Sequence, residues 1–225
     1  MSYPTLTAEL SSIETLYSTP GPHPNGLQAT AQGLWCIDQH TNRLQLVDYA
    51  TGEVLVDLAT EADRGSGVTD DGEDLWIAST YNRKILRIDR NNGSTVAQYD
   101  SPDASKTGAH GLEWRAGRLW VANPPSATIY QLNPFNNLAV TRSFPAPGKR
   151  PHGLAWHGEE LWCVETNLRS LFCYDYTTGA IRAQLQLPAE APEPHGMTIW
   201  QGQFWLCDAT SPTARDVYVF DVPRP

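Results

Sequence analysis

The sequence has no long apolar run. Met1 to Pro20 contains no hydrophobic segment of signal-peptide type, and no later stretch reaches membrane length. A cytoplasmic location and no membrane partner are therefore the expectation. Cysteine is scarce: the four, Cys36, Cys163, Cys173 and Cys207, form no Cys-x-x-Cys pair. Three of them fall one or two places after a tryptophan inside an expected strand, so all four read as reduced core residues. Positive charge is also short. Sixteen Lys and Arg against 25 Asp and Glu leave a net charge of −9, which argues against nucleic acid or an anionic membrane as the main partner. There is no phosphate-binding glycine loop, nucleophile elbow or zinc-protease motif, and no helix of useful length, low-complexity segment or interdomain linker.

What the sequence does have is a unit written five times. It opens Asn25-Gly26-Leu27, Ser66-Gly67-Val68, His110-Gly111-Leu112, His152-Gly153-Leu154 and His195-Gly196-Met197. Each opening leads to an apolar residue and a tryptophan: Trp35, Trp76, Trp120, Trp162 and Trp205. Tryptophans and glycines alike are spaced 41, 44, 42 and 43 residues apart. A period of roughly 40–45 residues that resolves into four short strands marks a propeller blade.

In the first unit, Leu27 to Thr30, Leu34 to Asp38, Arg43 to Tyr49 and Glu53 to Ala59 read as the four strands, with turns between them. Asp48 to Gly52, Asp89 to Gly93 and Asp175 to Gly179 supply turn chemistry and mark architecture. The last unit has a loop from Ala209 to Asp216 and a third strand from Val217 to Asp221, then ends. Its fourth strand is expected from the other end, at Ser11 to Ser18. The reading is a single all-β domain over 1–225, a five-bladed β-propeller whose N-terminal strand closes the last blade. The blades fall at roughly 26–60, 67–102, 111–147, 153–188, and 196–225 plus 10–19. Closure removes exposed sheet edges.

Polar residues converge in two registers of this repeat. Asn25, Ser66, His110, His152 and His195 precede the glycine; Asp38, Ser79, Asn123, Glu165 and Asp208 stand three after the tryptophan. The first strand lines the axis and the second runs antiparallel to it, so both sets are expected around one axial opening. Three histidines from neighbouring blades with carboxylates beside them suit a divalent metal, with His110, His152 and His195 as ligands. A metal-free alternative pairs a histidine base with Glu165 or Asp208. In a third reading the histidines only fasten their own blades. Asn25 and Ser66 show that the architecture does not require histidine there.

Weaker candidates border the same face: His23 and His40, and the loop cations Arg64, Lys149, Arg150, Arg169 and Arg215, which could hold an anionic substrate. His157 is expected on the opposite side. Glu113 is expected deeper in the channel, and Trp114, Trp156 and Trp200 in packing between blades.

The repeat, with its Gly-apolar openings, Leu-Trp pairs and Asp-x-x-Thr-Gly turns, resembles that of the streptogramin (virginiamycin B) lyase group of propellers, shortened to five blades. The sharper likeness is Glu193-Pro194-His195-Gly196, with Arg150-Pro151-His152-Gly153 in the preceding blade. The resemblance implies His195 as catalytic base or acid assisted by Glu193, His152 as the neighbouring histidine, and Asp208 where the group carries a magnesium-holding glutamate. The implied reaction is non-hydrolytic: a base takes an acidic Cα proton and the ester bond is eliminated. His110 is a third histidine that this pattern does not require. Five-bladed rings also occur in glutaminyl cyclases, whose sequence before each glycine looks different. Gluconolactonase-like propellers carry an axial metal on carboxylate and amide ligands.

The functional expectation is a metal-dependent lyase or hydrolase acting on a small or medium polar substrate at the histidine face. The catalytic set is His195, Glu165, Asp208 and Glu193, and the ion is zinc, manganese, iron, nickel or magnesium. The alternative is a ligand-binding or scaffolding propeller with a structural histidine ring.

Overall fold

Alternating apolar positions bounded by turn residues build five antiparallel sheets arranged as blades. The computed structural model describes residues 3–208 and 216–223. Blade 1 comprises Pro24–Thr30, Gly33–Asp38, Arg43–Val47 and Val54–Ala59. Blade 2 comprises Gly65–Asp70, Leu75–Ser79, Lys84–Ile88 and Thr95–Asp100. Blade 3 comprises Gly111–Arg115, Arg118–Asn123, Thr128–Asn133 and Ala139–Pro145. Blade 4 comprises Pro151–His157, Glu160–Glu165, Ser170–Asp175 and Ala180–Gln186. Blade 5 takes Pro194–Trp200, Gln203–Asp208 and Asp216–Asp221 from the C-terminal end and Glu14–Ser18 from the N-terminal end. The five-bladed all-β propeller and its closure are thus as the repeat foretold: Glu14 pairs with Val219 and Ser18 with Asp216.

Two details differ from the expectation. Residues Leu10–Ser12 form a 3-10 turn, so the closing strand is shorter than Ser11 to Ser18. Ahead of it, Thr5–Thr7 adds to the outer edge of blade 4, parallel to Ala180–Gln186, with Leu6 opposite Leu185. The N-terminal segment therefore straps blades 4 and 5 together and covers one outer edge. The predicted loop at Ala209 to Asp216, and Arg215 within it, lies outside the described residues apart from Asp216.

The core lies between blades. The second strands are almost wholly buried, and each repeat tryptophan packs on the next sheet. Trp76 of blade 2 stacks on Trp114 of blade 3 at 6.0 Å, Trp120 meets Trp156 of blade 4 at 5.5 Å, and Tyr49 stacks on Trp200 of blade 5 at 5.3 Å between ring centroids. All four cysteines are free and buried.

The repeat glycines are explained by the axis. A Cβ on Gly26, Gly67 or Gly111 would stand 2.0, 2.3 or 1.9 Å from the carbonyl oxygen of Ser66, His110 or His152 on the next blade. One on Gly153 would meet Met197 N at 2.4 Å, and one on Gly196 would meet Asn25 O at 2.7 Å. The five inner strands close to a waist that only glycine permits, leaving about 10 Å³ of space along it.

Candidate functional site

The residue before each glycine reaches the axis because the inner strand leaves register there. Pairing with the second strand shifts between Pro24 and Gly26, Gly65 and Val68, Pro151 and Leu154, and Pro194 and Met197. Such bulges turn a side chain away from its regular alternation. In blade 3 the strand begins at Gly111, and His110 N donates to Ala122 O at 2.9 Å. The result is an arc of side chains above the waist. Ser66 Oγ donates to Asn25 Oδ1 at 2.7 Å on one side. His110, His152 and His195 occupy the other, with ring centroids 4.7 and 4.4 Å apart along the row. They line a cavity of about 260 Å³ with His23, Gln39, Tyr81 and Arg150.

The hydrogen bonds fix which nitrogen carries each proton. Thr166 Oγ1 donates its single proton to Pro194 O at 2.9 Å, so it must accept from His152 Nδ1, also at 2.9 Å. The carbonyl of Arg150, 3.2 Å from the same nitrogen, likewise only accepts. His152 is therefore protonated on Nδ1, and its Nε2 accepts from His110 Nδ1 at 3.0 Å. By elimination the lone pair of His110 sits on Nε2. His195 Nε2 faces the Arg150 guanidinium at 3.3 Å, which can only donate, so the His195 proton is on Nδ1. That N–H is buried without a hydrogen-bond partner, 3.6 Å from Glu193 Oε1. Arg150 Nη1 and Glu193 Oε1 are 3.3 Å apart.

Burial keeps all three rings neutral. It pushes His110 down to about 4, with the Arg150 charge adding to the effect. His195 is lowered to about 3 by burial and then Arg150. His152 is lowered well below its ordinary value by burial and by its neighbouring histidines. Arg150 acts on every one of them, so neutralising it would make the row more basic.

Neutral imidazoles suit metals, but two of the three rings have their lone pairs committed. His152 uses both nitrogens within the row, and His195 Nε2 points at a cation. Among the described residues no group of three or more His, Cys, Asp or Glu is disposed to hold a metal ion. The residues as arranged do not fit one.

The second polar register does something else. Glu165 is buried, and its two oxygens accept from Arg150 N and Leu168 N, both at 2.7 Å. Asp38 Oδ2 accepts from His23 N at 2.5 Å, and its Oδ1 accepts from His40 N and Thr41 N at 3.0 and 2.7 Å. Ser79 Oγ accepts from Asp63 N at 2.7 Å, and Asn123 Nδ2 donates to Pro102 O at 2.6 Å. In these four blades the position fastens the incoming loop to the end of the second strand. Glu165, expected as a base, holds backbone through both carboxylate oxygens and does not line the cavity. Asp208 lies opposite Pro194 in the sheet register and is only partly buried.

Of the weaker candidates, His23 borders the cavity and stacks on His40 at 4.6 Å. Arg150 proves central. Thr166 was missed altogether; its place directly after the strand-ending Glu165 was the available signal. His157 ends the inner strand of blade 4, away from the histidine row, opposite Glu160. Glu113 is buried lower on the axis.

Fold and site together define a five-bladed propeller with a polar basin at one mouth of its axis. No family model and no curated protein matches the sequence. Solved structures do share the fold. The glutaminyl cyclase of Myxococcus xanthus superposes with a TM-score of 0.74 at 12% identity, over 99% of this chain and 100% of that one. A catalytically inactive virginiamycin B lyase from Staphylococcus aureus with quinupristin gives 0.58 at 17% identity, over 89% of this chain and 66% of that one. A streptogramin B lyase structure gives 0.57 at 14% identity, over 95% and 88%.

Proposed function

We propose that the histidine basin is the active site of a lyase that removes a proton from a small anionic or carbonyl-bearing substrate without a metal. The observation that carries this is the row Pro194 O, Thr166, His152, His110, whose proton positions leave one lone pair, on His110 Nε2, in a residue lining the cavity beside Arg150. His110 Nε2 takes the proton from carbon. The electron pair passes to the neighbouring carbonyl, where the Arg150 guanidinium meets the developing charge, and then expels the leaving group as an anion. Binding an anionic substrate on Arg150 cancels one of the two causes that hold His110 down, so the base strengthens as the substrate arrives. Glu193 holds Arg150 and faces His195 Nδ1.

The streptogramin lyases and the glutaminyl cyclase show that this fold carries enzymes, including eliminating ones, which supports the reading. It differs from the arrangement implied by the lyase resemblance, where His195 leads and His110 is silent. The test is to incubate protein purified without a His-tag with a panel of carboxylates, amino-acid esters and cyclic depsipeptides in D₂O containing EDTA. Cα deuteration and alkene products are followed by NMR and mass spectrometry. We expect turnover in EDTA, reduced roughly 10²–10⁴-fold in His110→Gln and strongly in Arg150→Gln. Activity that needs an added divalent ion would restore the metal reading. Tight binding without exchange or elimination would make the protein a binding propeller.

A further inference from the structure

The waist divides the axis, and the mouth opposite the histidines has a cavity of its own, about 250 Å³, bordered by Gln28, Glu113, Trp114, Arg115, Trp156 and Thr198. Glu113 stands two residues after its glycine, where the other blades carry Gln28, Thr69, Ala155 and Thr198. The fold thus does not need a carboxylate here. Yet this one is only 7% exposed, and among the described residues no cation pairs with it. Its Oε1 accepts from Trp114 N at 3.1 Å, a donor it shares with Thr69 Oγ1 at 2.9 Å. The nearby Thr69 hydroxyl gives its proton to Gln28 Oε1 at 2.7 Å. A buried carboxylate with so few partners is costly unless something neutralises it.

The one cation at the rim is committed elsewhere. Arg115 is bonded to Gly158 O and to Glu159 Oε1, the latter at 2.5 Å, and lies over the Trp156 ring at 4.2 Å. The inner strands of blades 1, 2, 4 and 5 present no other titratable side chain to the cavity. We propose that this lower cavity is a second ligand site, independent of the histidine basin, that takes a small primary ammonium group against the Glu113 carboxylate. The ammonium supplies the missing counter-charge, and the Trp114 and Trp156 rings offer aromatic surface beside it. Without ligand, burial raises the Glu113 carboxyl to about 8, with the bond from the Trp114 N–H as the larger offset. An arriving ammonium therefore displaces a proton at neutral pH.

The experiment is calorimetry on the intact chain with n-propylammonium, and with 1-propanol and propionate as controls, at pH 6, 7, 8 and 9. Propylammonium alone should bind, its Kd tightening roughly tenfold for each unit the pH rises from 6 toward 8. Buffers of different ionisation enthalpy should report about one proton released at pH 7. Glu113→Gln copies the shape of the protonated acid, so it should fold as the native chain does and bind at least tenfold more weakly. His110→Gln should bind unchanged, which separates this site from the basin. Equal binding of propanol, full binding by Glu113→Gln, or no binding of propylammonium at pH 9 would each overturn the proposal.

Discussion

Acid should unfold this propeller steeply, and the histidine row is the reason. An unfolded histidine titrates near 6.5, whereas His110 in the fold titrates near 4 and His195 near 3. Between those values the unfolded chain binds protons that the folded chain refuses, so stability falls as the pH falls. For His110 alone, a gap of about 2.5 units corresponds to about 3 kcal/mol lost across the window. Each such histidine contributes a slope of about 1.4 kcal/mol per pH unit once the unfolded side chain is protonated. Glu113 works in the opposite direction. Its folded value is raised from 4.5 to about 8, so its contribution grows as the pH falls through 8 and is complete below 4.5. His110 and His195 against Glu113 leave a net loss of about 1.5 kcal/mol per pH unit near pH 5, and His152 and His23, both also lowered by burial, add to it. A domain of ordinary stability, about 5–15 kcal/mol, cannot survive much of that. Urea denaturation followed by tryptophan fluorescence at half-unit steps from pH 7.5 to 4.5 measures the slope. A profile flat between 6.5 and 4.5, or an equal slope in the His110→Gln, His152→Gln, His195→Gln triple variant, would refute the reasoning.

Further outcomes follow from the same contacts. Thr166→Val keeps the shape but leaves Pro194 O without its donor, and should cost about 1–3 kcal/mol in urea melts. Asp38→Ala strips bonds from three backbone N–H groups of blade 1 and should cost about 2–3 kcal/mol, read as a lower urea midpoint with activity per folded molecule retained. Arg150→Gln should raise the titration points of His110 and His195, followed by imidazole NMR. Deleting residues 1–19 removes both N-terminal strands and should give insoluble or molten protein, seen as lost near-ultraviolet circular dichroism.

Much of the fold was legible because a blade is a local object. Its four strands, its Asp-to-Gly turns and its tryptophan all lie within one repeat, and the missing outer strand could be found by subtraction. The parallel addition of Thr5–Thr7 to blade 4 was not legible, since a three-residue exposed strand carries no apolar pattern. The first polar register was read correctly as axial. The second misled for a physical reason: a side chain that ties a loop to a strand end must be polar in every blade, just as a catalytic one must. Only distances separate the two, and Glu165 shows it. Arg150 looked like any loop cation because its partners, Glu193 and His195, belong to the next blade.

The glycine waist ties the number of repeats to the chemistry of the two mouths. Each glycine is pressed by the neighbouring blade, so the contact belongs to the circle and to no single unit. Growth of the protein by duplicating a repeat would widen that circle, release all the contacts together and open a continuous bore. Basin and lower cavity would then share one solvent column, and neither His110 nor Glu113 would stay dry enough to keep its altered proton affinity. Blade count in this chain is thus a chemical parameter, fixed by the absence of five methyl groups.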